Sequence, residues 1–130
     1  MASKGRGYKT LETDGWQILV GKGDAENDRL TFEVAEPRDF WLHVAHLPGS
    51  HVVIRNPDEL PEPPKSVLDY AAELAVWSSK AREAGGKVAV HLCRVADVSK
   101  RRGAPRGQVR LRRWEEVKIY PRDLSEDVEE

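Results

Sequence analysis

One segment constrains the architecture more than any other: a long amphipathic helix enclosed by helix-breaking residues. SVLDYAAELAVWSSKAREAGG follows the proline-rich connector NPDELPEPP and ends at Gly85 and Gly86. Ser66 and Asp69 have the spacing of a capping box, and the glycine pair predicts the helix end. Apolar residues recur every three or four positions, which predicts one buried helical face, formed by Val67, Tyr70, Ala71, Leu74 and Trp77.

Segments with the alternation or composition of strands surround this helix. GWQILVG, DFWLHV, HVVIR and KVAVHLCRV are predicted strands, and QVRLRRWEEVKIYP gives one or two more. A second helix is predicted over residues 25–35, with Asp24 as its N-cap and with buried positions at Leu30, Phe32 and Val34. About six strands and two helices in non-alternating order indicate an α+β fold, with a mixed, largely antiparallel sheet packed by one long and one short helix.

The length of 130 residues is that of one domain. We expect residues 1–130 to form a single domain with a core over about residues 8–121, a basic N-terminal tail and an acidic C-terminal tail. The single cysteine, Cys93, excludes an intramolecular disulfide and fits a reducing compartment. Because neither a secretory h-region nor a membrane-length apolar run is found, the expectation is a soluble, cytoplasmic protein without membrane association.

Positive charge is concentrated in one part of the chain, although the formal net charge is only −1. From Arg94 to Arg122 there are ten Lys or Arg residues against three acidic residues. Arginine brings forked donors to phosphate oxygens, so the loop SKRRGAPRG and the strand after it predict a polyanion-binding face. Its candidate residues are Lys100, Arg101, Arg102, Arg106, Arg110 and Arg112. A solvated strand edge that cations protect from aggregation is an equally open alternative.

The stretch DFWLHVAHLPGSHVVI holds three of the four histidines. We expect no metal site, because positions 43 and 46 point to opposite faces of a strand and no Cys-x-x-Cys motif accompanies them. A triad of Asp39, Ser50 and His51 is disfavoured because the nucleophile-elbow pattern is missing. His43 and His51 stay open as an acid–base pair, since imidazoles exchange protons near neutral pH.

The same stretch also suits binding. PGSH supplies backbone N–H groups, a hydroxyl and an imidazole beside Trp41, and an exposed indole there would stack on a base. The competing interpretation places Trp41 in the core and satisfies each histidine with a backbone carbonyl.

Four segments in order, DGWQILVGKGDAENDRLT, DFWLHVAHLPGSHVVI, AAELAVWSSKAR and KRRGAPRGQV, resemble the NFACT-R module, also called DUF814. This is the R, or RNA-binding, domain of the ribosome quality-control NFACT proteins, whose bacterial members were once labelled fibronectin-binding. The resemblance covers about residues 8–121. Its central motif is Asp-x-Trp-x-His followed by Pro-Gly-Ser-His, and an upstream motif occupies Gly21 to Thr31.

The resemblance implies a module that contacts RNA on the large ribosomal subunit. Because the other NFACT domains have no room in 130 residues and no convincing catalytic constellation is found, we expect a free-standing, non-catalytic module without a cofactor that contacts tRNA or rRNA. The RNA-binding positions that carry over by motif match are Lys22, Asn27, Asp28, Trp41, His43, Gly49, Ser50 and His51, together with the basic loop from Lys100 to Arg106. The roles of full-length NFACT proteins in tRNA selection and tail elongation depend on other domains and are not implied.

Two other classes of function stay open. The first is an enzyme acting on a nucleic acid or nucleotide through His43 and His51. The second is a protein-interaction adaptor on the ribosome that uses NPDELPEPP or the acidic tail. The oligomeric state is not predicted.

Overall fold

The computed structural model describes residues 7–128 and has an α+β fold, which confirms the predicted class. In chain order the elements are β1 (Tyr8–Thr13), β2 (Trp16–Gly21), α1 (Asp24–Arg29) continued by a π-helical segment (Leu30–Val34), β3 (Phe40–Val44), β4 (Val52–Ile54), α2 (Lys65–Trp77), β5 (Val88–Arg94), a 3₁₀ turn (Val95–Asp97), β6 (Val98–Ser99), β7 (Arg110–Leu111) and β8 (Glu115–Ile119). No helix within residues 7–128 has both the length and the apolar character needed to span a bilayer.

Six strands form one antiparallel sheet in the order β1-β2-β4-β3-β5-β8, and β6 and β7 form a separate hairpin. The central strand, β3, pairs antiparallel with β4 on one side and with β5 on the other. Helix α2 joins β4 to β5, so it crosses one face of the sheet above β3. This is a split βαβ arrangement. Strand β1 was not predicted from the sequence.

The two faces of β3 belong to different parts of the core. Phe40, Leu42 and Val44 pack under α2 in the larger cluster, and Trp41 lies on the opposite face in a smaller one. The alternation predicted for this strand is therefore confirmed. The smaller cluster also includes Leu19, Leu30, Val53, Cys93, Val95 and Val98, so the π-helical segment after α1 and the β6–β7 hairpin pack on this part of the second face.

Helix α2 has the predicted buried face but not the predicted ends. It begins after Pro64 without a side-chain cap, and the Ser66 hydroxyl donates to Asp14 instead, so the capping box is wrong. It ends at Trp77, well before Gly85, because tertiary contacts stop it. Ser79 Oγ donates to the Val76 carbonyl at 2.8 Å. The backbone at residues 78–79 pairs with the Gly49–Ser50 loop.

Three smaller expectations are also wrong. The N-cap of α1 is Gly23 rather than Asp24. Phe32 is 41% exposed and not buried, although Leu30 is fully buried. The acidic C-terminal segment is not merely a tail, because Leu124 and Val128 lie in the larger core cluster.

The contact between the Gly49 loop and the end of α2 leaves no room for a side chain. A Cβ at Gly49 would lie 2.8 Å from Ser79 Cβ and 3.2 Å from Val44 Cγ1. We predict that Gly49→Ala lowers the free energy of unfolding by about 1–3 kcal/mol, because one of these neighbours must move. Chemical denaturation measures this. The control is Gly86→Ala, whose Cβ meets no atom within 4 Å. Equal stability of the two variants would contradict the prediction.

Candidate nucleic-acid interface

Asn27 of α1 organises the Pro-Gly-Ser-His loop from inside the protein. Its side chain is buried, its Oδ1 accepts the backbone N–H of His51 at 3.1 Å, and its Nδ2 donates to the Gly49 carbonyl at 3.4 Å. Ser50 Oγ adds a bond to the Gly21 carbonyl at 2.7 Å. The expectation that Asn27 contacts RNA is wrong, because its amide is enclosed and used within the fold.

The next residue, Asp28, holds residues 99–108, which we call the arginine-rich loop, by similar bonds. Its Oδ1 accepts the backbone N–H of Gly107 at 3.0 Å, and its Oδ2 forms an ion pair with Lys100 Nζ at 3.1 Å. The Lys100 ammonium also donates to the carbonyls of Pro105 at 2.6 Å and Gln108 at 2.9 Å. All three of its donors are thus engaged within the protein, and phosphate binding by Lys100 stays a prediction. Asp28 and Lys100 together fix the conformation of the loop.

His51 and Trp41 meet in a buried network around the Thr31 hydroxyl. Because a carbonyl only accepts, His51 Nε2 must carry the proton in its 3.3 Å contact with the Gly107 carbonyl. His51 Nδ1 then accepts from Thr31 Oγ1 at 2.8 Å. Thr31 Oγ1 in turn accepts the indole N–H of Trp41 at 3.1 Å. The network is complete with a neutral imidazole.

Electrostatics favours the same neutral state. Burial and, to a lesser degree, the nearby His43 lower the pKa of His51 to about 4, although hydrogen bonding to Gly107 and the charge of Asp28 oppose the shift. Burial likewise lowers the pKa of His43. The interior of the site is therefore uncharged at neutral pH.

Two predicted roles fail on burial. Trp41 is 2% exposed and stacks against His43 with ring centroids 5.8 Å apart, so no base can stack on it. His51 is 1% exposed, and both of its ring nitrogens are bonded within the protein. It therefore cannot serve with His43 as an acid–base pair towards a substrate.

The disfavoured triad of Asp39, Ser50 and His51 does not form, because the Asp39 carboxylate accepts the backbone N–H groups of Glu36 and Asn56 and pairs with Arg55.

Outside this buried network, the same face of the sheet carries an open groove of about 670 Å³. His43 and His91 are cross-strand partners on β3 and β5. The ring of His91 lies 5.6 Å from those of both His46 and Trp114. Residues 105–108 of the arginine-rich loop form the opposite wall. All four histidines of the chain line this groove, yet within residues 7–128 no three His, Cys, Asp or Glu side chains are arranged to hold a metal ion.

The arginine-rich loop beside the groove and the strand that follows it are cationic, and Arg106 lines the groove itself. Arg101, Arg102, Arg106 and Arg110 are exposed, and none forms an ion pair or hydrogen bond through its side chain with another residue of the described range 7–128. Arg112 differs, because its guanidinium makes two bonds to Asp97 Oδ1, at 3.0 and 2.8 Å. Lys22 is exposed, and Gly49 and Ser50 are partly buried. For these residues and for half-buried His43, RNA contact stays a prediction.

The buried imidazole generates a pH-dependent stability. The unfolded chain takes up a proton on His51 below pH 6.5, whereas the folded chain does so only near pH 4, so stability falls as the pH falls through this interval. Between pH 7 and pH 5 we predict that His51 alone removes about 2 kcal/mol from the free energy of unfolding. His51→Gln should lose this part of the pH dependence, and exposed His46→Gln should keep it.

Denaturation of the three proteins at both pH values measures the difference. If His51→Gln does not fold, a nuclear magnetic resonance titration of the wild-type His51 ring decides the matter. A midpoint near pH 6.5 would contradict the buried, neutral assignment.

The sequence matches one family over most of its length. The family model described as the NFACT protein RNA binding domain matches residues 6–113. A protein named Rqc2 homolog RqcH, from Streptococcus suis (strain 05ZYH33), is 40% identical over 112 residues, which are 85% of this chain and 20% of that protein. The protein of the same name from Bacillus subtilis (strain 168) is 41% identical over 97 residues, or 75% of this chain and 16% of that one. The chain thus spans about a fifth of the length of these relatives.

A solved structure has the same fold. The C-terminal part of the fibronectin/fibrinogen-binding protein from Streptococcus suis matches with a TM-score of 0.80 at 37% identity, over 89% of this chain and 46% of that chain. The resemblance inferred from the sequence motifs is confirmed. The chain belongs to the family of NFACT RNA-binding domains.

Proposed function

We propose that this chain is a non-catalytic module that binds RNA through the arginine-rich loop and the groove beside it. The RNA is tRNA or rRNA, bound on the large ribosomal subunit in the cytoplasm, and the process is ribosome quality control. The family assignment and the names of the relatives support this role. The activities of the full-length relatives are not part of the proposal.

One observation carries the proposal: hydrogen bonds and an ion pair hold the loop, yet three of its arginines have no side-chain partner within residues 7–128. Asp28 neutralises Lys100, the cation that closes the loop, and leaves Arg101, Arg102 and Arg106 exposed without a carboxylate partner in the range 7–128. Guanidinium groups bind phosphate by forked hydrogen bonds, and pre-ordering of the loop reduces the entropy lost on binding. Cations that only protect a strand edge from aggregation would not require the loop backbone to be held in one conformation.

The salt dependence of RNA binding tests the contacts between the arginines and phosphate. If each arginine neutralises one phosphate of a single-stranded RNA, then R101Q/R102Q/R106Q should make the slope of log affinity against log salt less negative by about 2. Fluorescence anisotropy with a labelled single-stranded oligoribonucleotide measures it across a salt series. The midpoint of thermal unfolding should stay unchanged, because exposed substitutions change stability by only about ±0.5 kcal/mol.

The matched control removes three positive charges elsewhere. K65Q/K118Q/R122Q changes exposed cations on α2, on β8 and near the C terminus. This variant should largely keep the wild-type slope. Equal effects of the two triple variants would mean that net charge, and not the loop, determines affinity, and the proposal would be abandoned.

Substitution of Asp28 tests the ordering of the loop separately from the charges of its arginines. Counting charges alone predicts that Asp28→Ala strengthens RNA binding, because it removes a carboxylate and releases Lys100. We predict the opposite, a loss of roughly two- to tenfold, because the loop must then be ordered at the expense of binding free energy. The same anisotropy assay at fixed salt shows whether the variant binds RNA more tightly or more weakly than the wild type. Tighter binding by the variant would refute a positioning role for Asp28.

Which RNA is bound can be determined in cells. Crosslinking the protein to RNA and sequencing the attached fragments should recover tRNA or large-subunit rRNA. Recovery should fall in R101Q/R102Q/R106Q. Fragments spread over messenger RNAs without such enrichment would contradict the proposed ribosomal partner.

A further inference from the structure

Trp114 places a large aromatic surface in the groove without contributing to the buried core. Its indole is 51% exposed, whereas the other three tryptophans are buried or half-buried. Its ring lies 5.6 Å from that of His91 at an angle of 49°. Burial and the neighbouring His46 lower the pKa of His91, so this imidazole is uncharged at neutral pH. An exposed indole beside a neutral imidazole offers the type of surface on which a nucleobase stacks.

The groove around Trp114 has the size and walls of a ligand site. Its volume of about 670 Å³ lies within the range of roughly 300–1,000 Å³ typical of small-molecule pockets. Leu47 and Pro48 line it on one side, and the backbone at Gly107 and Gln108 lines the other. Gly107 has a φ of +81°, and a Cβ there would approach Asp24 to within about 3.1 Å. The left-handed backbone conformation and the nearby Asp24 carboxylate therefore both favour glycine at this position.

Positive and negative side chains lie at different places along the groove. Arg106 stands in its wall and has no ion-pair partner among residues 7–128. The carboxylates nearby are Asp24, at the Gly107 wall, and Glu116, which pairs across the sheet with His91. A phosphate is attracted to Arg106 and repelled by both carboxylates. Carboxylates can in turn accept hydrogen bonds from the amino groups of bases.

We infer that the groove holds one unpaired nucleotide of the bound RNA, with its base against Trp114 and its phosphate towards Arg106. This inference rests on the RNA-binding function proposed above and adds which part of the RNA is recognised. A nucleotide in a duplex cannot occupy the site, because its base is stacked and paired. The module therefore selects a loop, a bulge or a single-stranded end.

The test compares two probes that differ only in their bases. The first is a single-stranded oligoribonucleotide of eight residues, and the second has the same backbone without bases. Trp114→Ala should weaken binding of the first about 5- to 150-fold. It should leave binding of the second unchanged, because the arginines remain. Trp114→Phe should retain much of the affinity, since a ring is still present.

The matched control is Tyr120→Ala. Tyr120 is 61% exposed beyond the end of β8 and does not line the groove. Its removal should leave both affinities unchanged. A second measurement avoids substitution altogether: the indole N–H resonance of Trp114 in the wild-type protein should shift with the first probe and not with the second.

The possible failures are distinguishable. If Trp114→Ala binds both probes as the wild type does, while R101Q/R102Q/R106Q binds them weakly, the nucleotide site is wrong and the RNA-binding function stands. If the wild type binds neither probe at low salt, both are wrong. If Trp114→Ala loses ribosome association but keeps its affinity for both probes, the groove contacts a protein, and the inference is overturned.

Discussion

Two neighbouring side chains on α1 connect the parts of the molecule that would face a ligand. Asn27 bonds to the backbone of the Pro-Gly-Ser-His loop, and Asp28 bonds to the backbone and the lysine of the arginine-rich loop. The two loops are far apart in sequence, so neither local propensity nor a hairpin brings them together. One turn of a six-residue helix, extended by the π-helical segment, does so. Because a helix that short is marginal alone, it depends on Leu30 in the core and on these bonds for its stability.

This arrangement also explains why motif residues are largely internal. A buried polar group is costly unless it is bonded, and Thr31, His51 and Trp41 satisfy one another in a single chain of donors and acceptors. The chain ends at the carbonyl of Gly107, which belongs to the arginine-rich loop. The motif thus stabilises the position of the loop, and the loop carries the exposed charge. The buried motif residues Thr31, Trp41 and His51 thus have a structural role, whereas the exposed arginines are the groups proposed to bind phosphate.

The sequence predicted those features that depend on periodicity. β3, β5 and the buried face of α2 follow from alternation or from helical spacing, and the α+β class follows from their order. The end of α2 was not predictable, because it is set by the contact of Ser79 with Gly49. The direction in which Trp41 and His51 point was open for a similar reason. Tryptophan and histidine are found both in cores and at surfaces, and the contacts with other elements determine which of the two applies here. Trp114 was missed because no motif includes it; the available indication was an indole among charged residues.

The separation of charges in the site follows from these constraints. Of the six cations that the sequence predicted for the loop and its strand, Lys100 is neutralised by Asp28 and Arg112 by Asp97. These two hold backbone and strand positions, and the other four project into solvent. In the groove that Arg106 lines, the neutral imidazoles and the exposed indole of Trp114 form an uncharged surface. Cations in their place would repel the arginines of the loop and require their own counterions. If the proposed function is correct, the exposed arginines would supply phosphate attraction and the uncharged groove would supply base contact. The first contribution to affinity would be screened by salt, and the second would depend on the bases and resist salt.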